Sequence, residues 1–375
     1  MKLLLHIGSH KTGSTSIQHF CTLNSQLLKS QGYLYPKNPD SAYVPNYLAA
    51  QLAKGLGTKT AEYLKKVREQ AEREKCHTVI ISAESFYGMT WFFLDVQGKS
   101  REEDYWQSEA RLIEEMRRCC VGYDEIQIAC YLRPQDEYAV SLYNQFVKNV
   151  FGTSDSFEEL AVRAKPIFDY EHHIRLWENV FGADSITLRN YSTCKQDLAR
   201  DFCEHFLNPD CFSKAIKKDF RSNLRLSRDV LEFKRRFNLT QPDRSLAFIS
   251  LRCFMKIAKQ FKDQPGYQIY APFVFRKNIF EPFAEGNRRL EERYGLGDFP
   301  SVTNSREPTY PGLSAEKAAE IDLCYRSDMR KFRNRLELGL RRVINFLMDH
   351  LPWGKTVFAP LRAFQNRLRL KFTGW

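Results

Sequence analysis

The sequence predicts an α/β fold: a mostly parallel central sheet flanked by helices, with a helical elaboration towards the C-terminal end. Three observations carry this. Short apolar runs bounded by turn signals recur over roughly the first 210 residues, and each is followed by a longer helical pattern, the alternation that builds βα units. The runs are largely apolar, as strands covered on both faces of a parallel sheet must be. After about residue 207 the strand signal fades and the chain reads as helices. At 375 residues and 43% hydrophobic composition the chain can bury a large core, in one elaborated domain or in two.

In chain order, Leu3 to Ile7 reads as a strand running into the turn GSHKTGSTS and a helical pattern over about Ser14 to Ser30. A second helical pattern near Lys59 to Lys75 precedes the strand Thr78 to Ser82, and a third spans Glu102 to Cys119. The strand Ile126 to Tyr131 leads to a helix over Pro134 to Asn149, and Ser185 to Arg189 leads to one over Lys195 to Leu207. Right-handed crossovers are the default for such units. Further helices are expected over Ser227 to Asn238, Asp243 to Phe261, Glu281 to Tyr294 and Ser314 to Leu340, with breaks at Gln264-Pro265-Gly266 and over 295–311. The expected organisation is a domain over 1–345, with an α/β core at 1–210 and a helical part at 211–345, and a basic, aromatic tail over 346–375.

The formal net charge is +12, and its distribution matters more than its size. From Arg326 to Trp375 there are twelve Lys and Arg against three acids, a local +9 that leaves only +3 on the preceding 325 residues. A near-neutral body with a basic tail is not a protein built throughout for nucleic acid. The start MKLLLHIG is too short an apolar run for a signal peptide, and no stretch reaches the roughly 20 apolar residues of a membrane span. The ten scattered cysteines form no CxxC pair, which argues against zinc and for reduced thiols in a cytoplasm.

Ligands of open α/β sheets bind beyond the carboxyl ends of the strands, and three such ends carry suitable chemistry here. The first is Gly8 to Ser16. Gly8 and Gly13 allow close backbone approach, Thr12, Ser14, Thr15 and Ser16 offer hydroxyls, and Lys11 adds a charge beside the unpaired N–H groups of a helix start. A Walker A loop needs its lysine directly after the second glycine, whereas Lys11 precedes Gly13 by two residues. An ordinary strand-to-helix turn with Ser14 as N-cap is the plainer alternative. The second end is Ser82-Ala83-Glu84, where a carboxylate just past a strand suits a general base, or simply complements a helix dipole. The third is Leu132-Arg133-Pro134. Arg133 and Ser141, eight residues on, can share one side of a helix and suit a phosphate dianion, unless Arg133 merely pairs with Asp136 or Glu137.

Together these segments resemble the sulfotransferases that use 3'-phosphoadenosine-5'-phosphosulfate (PAPS). Lys11-Thr12-Gly13-Ser14-Thr15-Ser16 is similar to their 5'-phosphosulfate loop, and Ser82-Ala83-Glu84 and Leu132-Arg133-Pro134 with Ser141-Leu142-Tyr143 resemble later landmarks. Ser185 to Phe206 is similar to a strand of that family ending in Arg-x-Tyr, and His6-Ile7-Gly8 resembles its bacterial and carbohydrate-modifying branches. The resemblance covers 1–210 clearly and 211–340 loosely. It implies a P-loop-like three-layer sandwich, PAPS as co-substrate and PAP as product, and no metal. It also implies that Gly8 and Lys11 to Ser16 hold the 5'-phosphosulfate, and that Arg133 and Ser141 hold the 3'-phosphate. The family's Arg-Lys-Gly element is missing, with Arg221 or Arg225 as its candidate substitutes.

The expected reaction is in-line transfer of a sulfuryl group to an acceptor hydroxyl, on a glycan or glycolipid by the branch resemblance. Lys11 is expected to meet charge on the departing oxygen, with Glu84 as base and His10 as the alternative. His6 is at least as well explained as a structural histidine, and His172-His173 as surface or packing. Trp91, Phe92, Phe93, Trp106, Tyr267 and Tyr270 are candidates to line an acceptor site. An ATP-dependent kinase and a non-catalytic nucleotide- or polyanion-binding protein are the rival readings. The tail suits peripheral contact with an anionic inner-membrane surface, a helix docked on the body, or a rim for an acidic polysaccharide.

Overall fold

The computed structural model describes residues 1–36, 44–94, 101–150, 152–216, 225–262, 270–302 and 308–350. The tail over 351–375, Gln264-Pro265-Gly266, Arg221 and Tyr267 lie outside them. The chain divides into two compact units. One comprises Met1–Ala139, Ala161–Phe220 and Phe273–Asn304; the other comprises Val140–Leu160, Arg221–Pro272 and Ser305–Trp375.

In chain order the elements to residue 181 are β1 (Lys2–Gly8), α1 (Ser14–Leu23), α2 (Ser25–Ser30), β2 (Tyr33–Leu34), α3 (Val44–Ala53), α4 (Gly57–Arg73), β3 (Thr78–Ser82), α5 (Glu102–Cys119), β4 (Glu125–Leu132), α6 (Gln135–Lys148), α7 (Phe157–Arg163) and α8 (Tyr170–Phe181). They continue with β5 (Ile186–Asn190), α9 (Tyr191–Cys194), α10 (Leu198–Phe206), α11 (Asp210–Ser213), α12 (Arg228–Asn238), α13 (Arg244–Ile257), α14 (Phe273–Phe280), α15 (Ala284–Tyr294), α16 (Ala315–Arg330) and α17 (Phe332–His350).

Among the described residues the strands form one parallel sheet in the order β2-β3-β1-β4-β5, as the α/β prediction requires. Leu3, Leu4, Leu5 and Ile7 of β1 are fully buried, so both faces of the central strand are covered. On one face Leu4, Ile80, Ala129 and Tyr131 pack with Ile17, Phe20 and Cys21 of α1 and with Phe202, Cys203 and Phe206 of α10. All ten cysteines are free and nine are buried, where loss of solvent pushes the Cys21 thiol well up and keeps it unreactive. No helix among the described residues is long and apolar enough to cross a membrane.

Strand order decides where a ligand can sit. From β1 the chain moves out to β2, returns to β3 beside β1, and then crosses to β4 on the opposite flank of β1. The carboxyl end of β1 is therefore the point of reversal, with the exits of β3 and β4 on either side.

Two expected helices are each divided. The pattern over Ser14 to Ser30 breaks at Asn24, whose amide Nδ2 donates to the Phe20 carbonyl at 3.0 Å while its Oδ1 accepts from the Ile216 N–H at 2.8 Å. The pattern over Ser314 to Leu340 breaks at Lys331, whose extended backbone (ψ 134°) ends α16. β2 was not anticipated, because two residues cannot display a period.

The second unit is helical. Val150 and the α13 residues Ala247, Phe248, Ile249, Leu251 and Cys253 form a buried cluster, with Tyr325, Met329 and Leu338 packed against it. Buried Lys234 is bound to Asn238 and to the Asn149 carbonyl, and burial lowers its ammonium pKa to about 7.

Candidate functional site

The loop after β1 is built by its neighbours. Gly8 has φ 109°, and a Cβ there would lie 3.2 Å from the Cα, Cβ and carbonyl oxygen of Glu84, so glycine lets the β1 and β3 exits touch. Ser9 then binds the β4 exit, its N–H donating to the Tyr131 carbonyl at 2.8 Å and its hydroxyl to the same oxygen at 3.1 Å. Thr12 Oγ1 donates to the Ser9 carbonyl at 2.6 Å, so this hydroxyl closes the loop. Lys11 is left-handed at φ 65°, a conformation that costs a lysine about 1–2 kcal/mol and that persists where surrounding contacts enforce it.

Gly13 at φ 77°, not Ser14, is the N-cap of α1, and no side chain caps that end. The helix start therefore keeps the donor character expected of an anion site, with the Ser14, Thr15 and Ser16 side chains around it. A side chain at residue 13 would come within 2.6 Å of Leu198 Cδ2 and 3.3 Å of Tyr191 Cε2.

On the β4 flank Arg133 reaches back to the same loop. Its Nη1 donates to the Lys11 carbonyl at 3.0 Å and its Nη2 to Glu137 Oε2 at 2.7 Å, while the guanidinium carbon lies 5.4 Å from the Tyr191 ring centroid. The pairing with Glu137 is one of the two alternatives read from sequence. Asp136, the other alternative, accepts from Arg276 Nη1 at 2.7 Å. Arg133 Nε is buried and has no hydrogen-bond partner among the described residues. An orphaned guanidinium donor is what an arriving phosphate oxygen would satisfy.

On the β3 flank Glu84 opens a short 3₁₀ turn and is half-buried. Gln18 Nε2 donates to its Oε2 at 2.9 Å and Asn46 Nδ2 to its Oε1 at 3.2 Å. Both partners are neutral amides, which orient the carboxylate without cancelling its charge and leave lone pairs for a proton. His10 is 3% exposed with its ring 3.7 Å from that of Phe92. Burial first, and the Lys11 charge second, lower its pKa to about 3. His6 is a structural histidine, its Nδ1 2.8 Å from Ser82 Oγ.

No family model matches this sequence, and no curated protein matches it. Among solved structures the chain is similar to the crystal structure of a sulfotransferase from Alicyclobacillus acidocaldarius, at 12% identity and a TM-score of 0.42, over 79% of this chain and 96% of that one. A likeness at that level says nothing about individual residues.

The structure thus brings Gly8, the Lys11 to Ser16 loop, Glu84 and Arg133 to one end of the sheet in the first unit. Ser141, half-buried on α6 past Ala139, belongs to the second unit, and Arg225 is exposed. Trp91 and Trp106 are core residues rather than ligand-lining ones. His172 stacks on Trp106 at 3.8 Å and His173 is buried against Tyr87, so this pair is packing.

Several residues around the site were not read from sequence. Gln18 carried a signal, as a polar residue beside Ile17 on the buried face of α1; Asn46 carried none. Tyr191 followed a recognised strand but was not assigned to the loop it covers. Glu109 of α5 is fully buried, and its carboxylate accepts the Met89 N–H at 3.1 Å and the Thr90 N–H at 2.7 Å. It thereby fixes the start of the π-helical turn Thr90–Leu94, which presents Phe92 to His10. Burial pushes the Glu109 pKa up to about 7 despite those amides.

Proposed function

We propose that the protein is a PAPS-dependent sulfotransferase that moves a sulfuryl group to an acceptor hydroxyl on a glycan or glycolipid. One observation carries this reading: an uncapped helix start with Lys11, an arginine whose Nε has no partner among the described residues, and an amide-held carboxylate converge where the strand order reverses. The donor set suits a nucleotide with phosphate groups. Lys11 and the helix start, with the Thr15 and Ser16 hydroxyls, hold the 5'-phosphosulfate, and Arg133 holds the 3'-phosphate. PAPS supplies the sulfuryl group and a phosphate leaving group.

Glu84 accepts the hydroxyl proton as the acceptor oxygen bonds to sulfur and the bond from sulfur to the bridging oxygen breaks. The electron pair of that bond stays on the bridging oxygen, where the Lys11 ammonium meets the charge. Positioning and fixed charge carry such a transfer. His10 is the weaker candidate for the base, because a group with a pKa near 3 has little pull on a hydroxyl proton. A kinase reading is disfavoured by the position of Lys11 ahead of Gly13. The test is transfer of labelled sulfate from PAPS to fractionated cell-envelope and capsular material. Label in a polysaccharide or glycolipid fraction, lost with Lys11→Ala, supports the reading; no labelled fraction with folded, PAP-binding protein overturns the choice of acceptor.

A further inference from the structure

Arg133 stands between a strand and a proline, and the chain around it is held from several sides. Leu132 pairs with Asn190 at the end of β4, and a residue before proline is kept out of the helical region. The Arg133 carbonyl accepts from Oη of Tyr170, a buried residue of α8, at 2.7 Å. Beyond Pro134, the first turn of α6 is gripped by a segment from far along the chain. Buried Gln135 and Asn287 of α15 exchange amide hydrogen bonds at 2.9 Å in both directions, and Gln135 Nε2 also donates to the Phe168 carbonyl at 3.2 Å. The Asp136 N–H donates to the Ser301 carbonyl at 3.3 Å, and Asp136 Oδ2 accepts from Nη1 of Arg276 in α14 at 2.7 Å, both side chains being buried. The other oxygen of Asp136 accepts the Glu137 N–H at 2.7 Å, and Glu137 is the carboxylate that meets the Arg133 guanidinium. All these residues belong to the first unit.

Burial makes this set informative. An ion pair and an amide pair removed from water add little stability over apolar side chains of the same volume, whereas their directed bonds admit one relative placement of the elements that carry them. A guanidinium that meets a phosphate dianion needs such placement, because its fork of donors is rigid while its stem is not. We propose that Tyr170 and the pairs Gln135–Asn287 and Asp136–Arg276 are positioning residues, which aim Arg133 at a phosphate by fixing its carbonyl and the first turn of α6. Each acts through Arg133 rather than on the phosphate itself. The proposal rests on the reading in which Arg133 holds the 3'-phosphate of the donor nucleotide.

The test is a double-mutant cycle on the full chain, read as PAP affinity by calorimetry. Tyr170→Phe removes one hydroxyl and keeps the ring, and should weaken PAP binding about fivefold, the scale of one hydrogen bond. Arg133→Ala should weaken it further, and adding Tyr170→Phe to Arg133→Ala should then change affinity by less than about twofold. A merely structural tyrosine lowers the unfolding temperature without this coupling. Asn287→Ala should show the same pattern and keeps the test decisive if Tyr170→Phe does not fold. Native PAP affinity in either folded variant overturns the proposal, as does an equal loss with and without Arg133, which would route the effect elsewhere. A native chain that does not bind PAP overturns the reading of the site and this proposal with it, so the native titration tells the two failures apart.

Discussion

The two flanks of β1 meet one loop with opposite chemistry. On the β4 side a guanidinium binds the backbone of Lys11 and keeps one buried donor unused. On the β3 side a carboxylate touches the same loop at Gly8, and its two oxygens are held by the amides of Gln18 and Asn46. The difference teaches how one loop serves two tasks. Cations gathered on one flank suit a resident anion, and a carboxylate held by neutral amides on the other suits a proton that must be taken up.

Lys11→Ala should break the cationic side most severely. Turnover is expected to fall by about 10³ or more, the scale of a lost charge stabiliser, in a single-turnover assay of labelled sulfate. Turnover within a few-fold of native would remove Lys11 from the leaving-group role. Glu84→Gln probes the acidic side while keeping the hydrogen-bonding size of the residue. A fall of about 10² to 10⁴ is expected, with PAP binding retained. If Glu84→Gln weakens PAP binding instead, the two flanks do not divide the work as described.

Arg133→Lys sharpens the comparison, because lysine keeps the charge and loses the fork. PAP affinity measured by calorimetry should fall about tenfold, the scale of one charge-assisted hydrogen bond, with turnover at saturating donor little changed. An affinity equal to native would mean that Arg133 only braces the loop. Glu109→Gln has the smallest expected effect on turnover and a distinctive effect on stability. The folded pKa of Glu109 is raised from 4.5 to about 7, so the folded state holds its proton more tightly than the unfolded one. That stability is fully present below about 4.5 and is lost as pH rises through about 7, by an amount on the order of 3 kcal/mol. Chemical denaturation across that window should show the loss in the native chain and a flatter profile in Glu109→Gln; parallel profiles would mean that Glu109 stays ionised throughout.

Most of the sheet was legible from residues, because four of its strands carry short, largely apolar runs bounded by turn signals; Thr78 to Ser82 needed no adjustment of its ends. What stayed hidden is what local pattern cannot encode. The break at Asn24 depends on Ile216, far along the chain, and the two residues of β2 show no period. At the site, residue types and strand ends marked Lys11, Glu84 and Arg133. The choice of Gly13 over Ser14 as N-cap was hidden, as were the left-handed Lys11, the bond from Arg133 to the Lys11 carbonyl and the brace from Glu109 through Phe92 to His10. All depend on side chains that meet only once the sheet is assembled.

The most direct test of the two-flank account is thermal unfolding of the native chain with PAP in the absence of metal, against ATP with Mg²⁺. The account predicts selective stabilisation by PAP, about 2.7 kcal/mol at a hundredfold excess over Kd, which Lys11→Ala and Arg133→Lys both diminish. No stabilisation by PAP, or a larger shift with ATP and Mg²⁺, would contradict it.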